Sequence, residues 1–242
     1  MAREFARHGH ALALVARRAE RLNALADEIA AAGATRPLVI PADLTAPGAA
    51  RAIAAALAAA DAEPSYVVNN AGFGLVGLAA ERSRAEQLAM IDVNMRALTE
   101  LSLLFIDSLA RHRGGILNVG SIAGFVPGPG MAVYYASKVF VVSLSRALRQ
   151  ELEPRGVRVT VLCPGPVPTE FAQVAGRTTY ESPGFMTDSA EKVARDGYRG
   201  LMAGRAVVVP GFFNKVFVRL GSVVPHSLLL AVIGAAQGRR TA

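Results

Sequence analysis

The chain has 242 residues, 52% of them apolar, and its 26 basic and 19 acidic side chains give a formal net charge of +7. This size and apolar content predict one globular domain, residues 1–242, and exclude an intrinsically disordered chain. The single cysteine, Cys163, excludes an intrachain disulfide, which favours a reducing compartment and predicts a cytoplasmic protein.

The positive charge is spread along the chain instead of being concentrated in one segment. No zinc-ligand spacing or RNA-binding box accompanies it, so we expect no nucleic-acid partner. The four histidines show no metal-ligand spacing, which predicts no metal site; they are His8, His10, His112 and His226. The apolar run at residues 11–16 is too short for a signal peptide and is better explained as a buried strand.

Short apolar runs alternate with longer helical stretches along the whole chain. The runs predict strands at Ala11–Val15, Leu38–Ile40, Tyr66–Val68, Ile116–Val119, Val157–Leu162 and Ala206–Val209. The stretches predict helices at Ala19–Ala32, Ala49–Ala60, Arg84–Arg111, Ala132–Glu153 and Ser189–Met202, with helix-ending glycines at Gly33, Gly114 and Gly156. This order predicts an α/β fold, a doubly wound, Rossmann-like parallel sheet with helices on both faces.

Two segments break the alternation. Residues 164–188 contain four prolines and form a long irregular connection, which predicts a functional loop or lid over a substrate. Residues 211–242 form an apolar C-terminal extension. Within it, Leu220–Ala236 is interrupted by Pro225 and is too short to span a bilayer, so we expect a packed helix, with peripheral membrane contact as the alternative.

The most specific motif opens the fourth predicted helix, where Tyr134-Tyr135-Ala136-Ser137-Lys138 places Tyr134 and Lys138 at i and i+4 on one face. A cation one turn away stabilises phenolate, so Tyr134 can act as a proton donor or acceptor near neutral pH. Ser121 follows a predicted strand, at the sheet edge where α/β folds bind ligands. Its hydroxyl can hold a substrate oxygen. Tyr135 is the rival phenol, but its i+4 partner is Val139.

Three further motifs occur in the same order as in a known family. Asn69-Asn70-Ala71-Gly72 follows one strand, Asn94 lies in a helical stretch, and Pro164-Gly165 follows another strand. With the Tyr134 motif they resemble the short-chain dehydrogenase/reductase family over nearly the whole chain. The resemblance implies a nicotinamide-dependent oxidoreductase that interconverts a ketone and a secondary alcohol, assembled as a homodimer or homotetramer.

The resemblance also implies individual roles. Tyr134 would be the general acid/base, Lys138 would hold the nicotinamide ribose, Ser121 would orient the reacting carbonyl, and Asn94 would keep a water in the proton relay. The cofactor would further be lined by Asn69, Ala71 and Gly72 on its adenosine side, and by Pro164, Gly165 and Thr169, with Thr169 meeting the carboxamide.

The cofactor prediction is NADP in preference to NAD. An NAD site places a carboxylate at the end of the second family strand, whereas this chain has Ala16 followed by Arg17 and Arg18, which suit a 2′-phosphate. Asp43 resembles the family residue beside the adenine ring, with an N-terminal helix cap as the alternative. Phe171, with the other phenylalanines Phe185, Phe212, Phe213 and Phe217 of the late segments, favours a lipophilic ketone.

The family's glycine-rich turn is not found in this sequence. Residues 72–77 match G-x-G-x-x-G, but the residues that follow give no second strand with an acidic end, so we reject this match. Met1–Arg7 resemble the second half of the family's first helix. We therefore expect a first strand and phosphate-binding loop to precede Met1, in a natural protein longer by about fifteen to twenty residues. The alternative is a catalytically inactive binding or scaffolding protein.

Overall fold

The computed structural model describes residues 1–171, 175, 184–221, 223–224 and 229–230. Within them lie six strands: β1 Ala13–Ala16, β2 Leu38–Pro41, β3 Tyr66–Asn69, β4 Gly115–Val119, β5 Arg158–Leu162 and β6 Val207–Val208. All six were predicted to within two residues at each end. The agreement has a physical basis, because short aliphatic runs bounded by turns form the buried strands of parallel sheets.

Nine α-helices are described: α1 Ala2–Arg7, α2 Ala19–Ala31, α3 Ala49–Ala59, α4 Arg84–Ile91, α5 Leu98–Leu104, α6 Ile106–Arg111, α7 Ala132–Leu152, α8 Ala190–Met202 and α9 Phe212–Gly221. Shorter 3-10 turns occupy Ile122–Phe125, Glu153–Arg155 and Gly184–Met186, and a π-helical turn at Asp92–Ala97 joins α4 to α5.

Two helix predictions are wrong in detail. The predicted helix Arg84–Arg111 contains a π-helical turn, where the buried Asn94 bonds to the loop after β3, and it is broken again at Phe105. The predicted C-terminal helix Leu220–Ala236 is interrupted near its start, because α9 ends at Gly221 and residues 223 and 224 form a turn and a bend, whereas residues 229 and 230 are helical. Most of that predicted helix lies outside the described residues.

The strands form two parallel sheets. β1 pairs with β2, while the larger sheet has the order β3-β4-β5-β6. Among the described residues, no backbone hydrogen bond joins β1 to β3. The strand and loop expected before Met1 concern residues outside this chain, and their presence stays a prediction.

The strands of the larger sheet are buried on both faces. Consecutive residues of β4 show this, since Ile116 packs with α3, α6 and α7 whereas Leu117 packs with α1 and α8. Both side chains are fully buried. Successive strand residues point to opposite faces, so the sheet carries helices on each side. The predicted doubly wound α/β fold is therefore confirmed.

Two of the three predicted glycine stops are confirmed by left-handed backbone angles, φ +88° at Gly33 and φ +75° at Gly156. Gly114 differs, because the residue with positive φ after α6 is Arg113 (φ 48°). A Cβ on Gly114 would lie 1.6 Å from the Ser65 carbonyl oxygen. The absence of a side chain at Gly114 therefore lets Ser65, at the entry to β3, lie close to the Gly114 backbone.

Candidate active site

The carboxyl ends of β3, β4 and β5 lie along one edge of the larger sheet, and predicted site residues stand at each of them. Asn69 ends β3, Ser121 follows β4, and Pro164 follows β5. The Ile122 amide donates a hydrogen bond to the Pro164 carbonyl oxygen at 3.0 Å. This bond fixes the segments after β4 and β5 to one another.

Helix α7 places Tyr134 and Lys138 together on its buried face. Their side chains are buried, with residue exposures of 9% and 5%. The Lys138 Nζ lies over the Tyr134 ring, 5.8 Å from its centroid. The i and i+4 spacing predicted that the phenol and the ammonium share one face of the helix, and the folded chain places them there.

The Lys138 ammonium is held in place by the end of β4. Its Nζ donates a hydrogen bond to the Val119 carbonyl oxygen at 2.9 Å. Burial lowers the pKa of Lys138 to about 8, because the charged form is removed from water, and the smaller effect of Cys163 acts in the opposite direction. Burial also raises the pKa of the Cys163 thiol to about 12, so this cysteine stays uncharged beside the lysine.

Ser121 caps the 3-10 turn that follows β4. Its Oγ accepts a hydrogen bond from the Ala123 amide at 3.1 Å, and the residue is half-buried. Because this bond uses a lone pair of the hydroxyl oxygen, the O–H proton remains able to donate to a substrate oxygen. The turn fixes Ser121 near the first turns of α7, where Gly124 packs against the Lys138 backbone.

Asn94, in the π-helical turn, joins two parts of the site. Its Oδ1 accepts from the Phe73 amide at 3.1 Å, and its Nδ2 donates to the Phe73 carbonyl at 2.9 Å and to Ser137 Oγ at 3.1 Å. Ser137 in turn donates to the Tyr134 carbonyl oxygen at 2.7 Å. Asn94 therefore fixes the loop after β3 against the second turn of α7. The relay water expected at Asn94 stays a prediction.

Asn69 belongs to a buried polar network between β3, β4 and the helices. Its Nδ2 donates to Asn118 Oδ1 at 2.8 Å and to Ser102 Oγ at 2.9 Å. Asn118 Nδ2 donates to Ser145 Oγ at 3.0 Å. Sequence reasoning missed Asn118, Ser102 and Ser145, although an asparagine inside an apolar strand was a usable signal. The network fixes the strand ends below the site.

Two glycines and one threonine mark the expected cofactor cleft. A Cβ on Gly72 would lie 3.0 Å from Asn94 Oδ1 and 3.4 Å from Lys138 Nζ, so Gly72 and Lys138 are neighbours. A Cβ on Gly165 would lie 2.4 Å from Asn214 Oδ1, which requires glycine there. Thr169 is exposed and accepts a hydrogen bond from the Phe171 amide at 3.3 Å. Ala71, beside Gly72, is exposed as well.

The arginines after β1 are exposed at its carboxyl end. Arg18 stands at the N-cap of α2 and pairs with Glu170, and Arg21 in the first turn of α2 pairs with the same carboxylate. Arg17 is exposed and electrostatically lowers the pKa of Asp43, an effect smaller than that of the hydrogen bonds from Thr45. Sequence reasoning missed Arg21 and Glu170, and the repeated basic residue at i+3 was the available signal for Arg21.

The helix-cap alternative for Asp43 is wrong. Asp43 Oδ1 accepts from the Thr45 amide at 2.9 Å and from Thr45 Oγ1 at 2.8 Å, which closes a turn after β2. Helix α3 begins later, with Gly48 at its N-cap. The place of Asp43 beside an adenine ring stays a prediction.

Apolar side chains surround the Tyr134 ring. The Phe171 ring lies 5.4 Å from it, and Leu75, Met90 and Met131 complete the cluster. A small hollow with a cavity volume of about 10 Å³, room for roughly one water molecule, adjoins Tyr134 and has Leu75, Met90 and Met131 in its wall. Ser121 and Lys138 are not among the residues that line this hollow.

The described residues contain neither a cluster of metal ligands nor a membrane-spanning helix. They contain no group of three or more His, Cys, Asp or Glu side chains arranged to hold a metal ion. In the same part of the chain, no helix has the length and apolar character needed to cross a bilayer.

Comparison with known proteins gives one consistent family. The family model described as short chain dehydrogenase matches residues 1–179. Sulfoacetaldehyde reductase of Chromohalobacter salexigens is 39% identical over 176 residues, which cover 72% of this chain and 69% of the relative.

Solved structures of dehydrogenases are also similar to this chain. A short-chain dehydrogenase from Sphingobium yanoikuyae in complex with NADPH is similar at 30% identity and a TM-score of 0.78, covering 99% of this chain and 89% of that one. The bulky-bulky ketone specific alcohol dehydrogenase from Comamonas testosteroni is similar at 27% identity and a TM-score of 0.75, covering 93% and 89%.

Proposed function

Because this chain belongs to the short chain dehydrogenase family, and its relatives are NAD(P)-dependent dehydrogenases and reductases, we propose that it uses NADP to interconvert a lipophilic ketone and a secondary alcohol. The observation that carries the proposal is the buried pair of Tyr134 and Lys138 at the carboxyl edge of the sheet. The alternative of an inactive scaffolding protein has no support from these relatives.

Tyr134 acts as the general acid and base. In the direction of reduction its hydroxyl gives a proton to the alkoxide oxygen that develops on the substrate, and it takes the proton back in oxidation. The Lys138 charge one turn away stabilises the phenolate left behind, because opposite charges attract strongly where water is excluded. Ser121 donates a hydrogen bond to the same substrate oxygen and orients the carbonyl carbon. NADP supplies or accepts the hydride when bound.

The residues present fit this cofactor. The missing Cβ of Gly72 leaves room beside Asn94 Oδ1 and Lys138 Nζ, and a ribose hydroxyl can accept a bond from that ammonium. Ala16 stands where an NAD-selecting carboxylate would stand, and the exposed Arg17 and Arg18 follow it. Guanidinium groups match a phosphate in both charge and geometry. These residues favour NADP over NAD.

The remaining expected cofactor contacts are part of the same proposal. Ala71 and Asn69 would support the adenosine side with Asp43, while Pro164, Gly165 and Thr169 would meet the nicotinamide side. Asn94 would act through the loop that it fixes, and would keep the relay water expected there. Each can be tested by substitution, with cofactor binding and turnover measured separately.

The substrate preference follows from the wall around Tyr134. Phe171, Leu75, Met90 and Met131 offer an apolar surface next to the proton donor. The segments at residues 164–188 and 211–242 would shape the rest of the pocket. The likeness to an alcohol dehydrogenase described as specific for bulky-bulky ketones supports the same preference.

A homodimer or homotetramer is part of the proposal. The exposed fractions of Leu88, Leu103 and Val139 are 52%, 49% and 45%, so α4, α5 and α7 present apolar side chains that a second subunit can cover. Analytical ultracentrifugation would give a mass of two or four chains, and a monomer at micromolar concentration would contradict this part. A cytoplasmic location remains a prediction.

The experiment is an NADPH oxidation assay with a panel of ketones. The panel contains aryl, long-chain and polycyclic ketones, with sulfoacetaldehyde as the small polar comparison. We expect the highest kcat/KM for the bulky apolar ketones with NADPH, and a lower value with NADH. Equal use of both cofactors would overturn the NADP assignment, and preference for sulfoacetaldehyde would overturn the lipophilic substrate.

A further inference from the structure

A single carboxylate bridges two of the arginines that follow β1. Glu170 Oε2 accepts from Arg18 Nη2 at 3.1 Å, and Glu170 Oε1 accepts from Arg21 Nη1. Each carboxylate oxygen therefore serves one guanidinium group. A phosphate group would use the same donors in the same way.

The bridge joins residues beside the two sheets, at the edge where the cofactor is expected to bind. Arg18 and Arg21 belong to the start of α2, beside the two-stranded sheet, whereas Glu170 follows the segment that leaves β5 in the larger sheet. The three side chains are between 53% and 57% exposed, so a ligand can reach the guanidinium groups from solvent. A phosphate that takes the same N–H groups displaces Glu170.

We propose that Glu170 is an internal competitor for the 2′-phosphate of NADP at Arg18 and Arg21, an inference that rests on the proposed function. Glu170 holds the arginines when no cofactor is bound. Binding of NADP exchanges one anion for another, so its affinity is lower than the bare arginines would give. NAD carries no 2′-phosphate and does not make this exchange.

Two effects weaken the binding of the 2′-phosphate to these arginines. Breaking the exposed ion pairs carries a modest penalty, since such pairs contribute little each in water. The displaced carboxylate also stays near a phosphate of the same sign and repels it. Because both arginines hold the pKa of Glu170 below its ordinary value, Glu170 is ionised throughout the neutral range and competes there at full charge.

The test compares two nucleotides that differ only in the 2′-phosphate. Binding of adenosine 2′,5′-bisphosphate and of adenosine 5′-monophosphate to the 242-residue chain is measured by calorimetry for the wild type and for Glu170→Gln. We expect Glu170→Gln to bind the bisphosphate about two- to tenfold more tightly, and the monophosphate with little change.

A matched control removes a similar ion pair elsewhere. Glu28 is exposed and pairs with Arg3 at 2.6 Å, so Glu28→Gln makes the same change in net charge at the far end of α2. It should leave both affinities unchanged. In an Arg18→Met, Arg21→Met background, the gain from Glu170→Gln should disappear, because no guanidinium remains to be freed.

The outcomes separate this inference from the proposed function. If Glu170→Gln binds the bisphosphate no more tightly, or binds both nucleotides more tightly by the same factor, the competitor role is wrong and the cofactor assignment stands. Weaker binding of the bisphosphate also overturns the role, since Glu170 would then orient the arginines for phosphate. If the wild type binds neither nucleotide and oxidises no NADPH, both proposals are wrong.

Discussion

The ammonium nitrogen of Lys138 lies over the ring of Tyr134, 5.8 Å from its centroid, and is tied to the Val119 carbonyl oxygen of β4. The lysine is thus fixed at both ends, by its backbone in α7 and by a strand of the central sheet. A charge that cannot move away acts on the phenol without first being reorganised, which is the condition for efficient electrostatic catalysis.

Replacing Tyr134 by phenylalanine should lower kcat by about a hundredfold to ten-thousandfold, because the proton donor is lost while the ring and its packing against Phe171 remain. NADPH oxidation and NADP binding are measured on the same preparation. Tyr135→Phe is the matched control, since it removes the neighbouring phenol and should leave turnover nearly unchanged. Loss of activity in Tyr135→Phe alone would reverse the assignment.

Replacing Lys138 by methionine should abolish turnover and stabilise the fold. Burial lowers the pKa of Lys138 from 10.5 to about 8, so the folded state binds this proton less tightly than the unfolded state. The resulting penalty is full below pH 8 and disappears as the pH rises above 10.5. We expect the free energy of unfolding to increase by about 1 to 3 kcal/mol at pH 7, with a smaller gain near pH 10.

Urea unfolding at both pH values checks the Lys138 prediction. The control is Lys215→Met, because Lys215 is exposed on α9 and its removal relieves no burial. A Lys138→Met variant that is less stable than the wild type at pH 7 would contradict the argument, as would a gain that does not change with pH.

Substitution of Gly72 by alanine tests the space beside Lys138. The added Cβ would lie 3.0 Å from Asn94 Oδ1 and 3.4 Å from Lys138 Nζ, so one of these side chains must shift. We expect at least a tenfold loss of kcat/KM, whereas the free energy of unfolding should fall by only about 1 kcal/mol. At Gly184, a Cβ would meet nothing within 4 Å, and Gly184→Ala should be neutral. Unchanged activity in Gly72→Ala would remove Gly72 from the site.

Replacing Asn118 by alanine should destabilise the fold by about 2 to 4 kcal/mol. The side chain is fully buried and joins Asn69 to Ser145, so its removal leaves two buried polar groups without this partner and opens a cavity. The urea midpoint reports the loss. Asn23→Ala, which removes an exposed asparagine bonded to Ala19, should shift the midpoint little. A shift of similar size in both variants would show that the network is not specially stabilising.

Much of the fold could be predicted because its signals are local. The six strands follow from short aliphatic runs, and the Tyr134 and Lys138 pair follows from the helical repeat. The π-helical turn within the predicted helix Arg84–Arg111 could not be predicted in this way. It depends on the hydrogen bonds of Asn94 with Phe73, which lies in a different part of the chain and contributes only its backbone.

The sequence by itself determined the alternation of strands and helices, the face of α7 that carries the reactive phenol, and the arginines at the end of β1, since each depends on neighbours along the chain. Only the tertiary structure decided what these groups meet: the Val119 carbonyl beneath Lys138, the Asn69 and Asn118 network, and the Glu170 carboxylate on Arg18 and Arg21. Such contacts join residues far apart in sequence, and side-chain type alone does not specify which partners the packed chain brings within bonding distance.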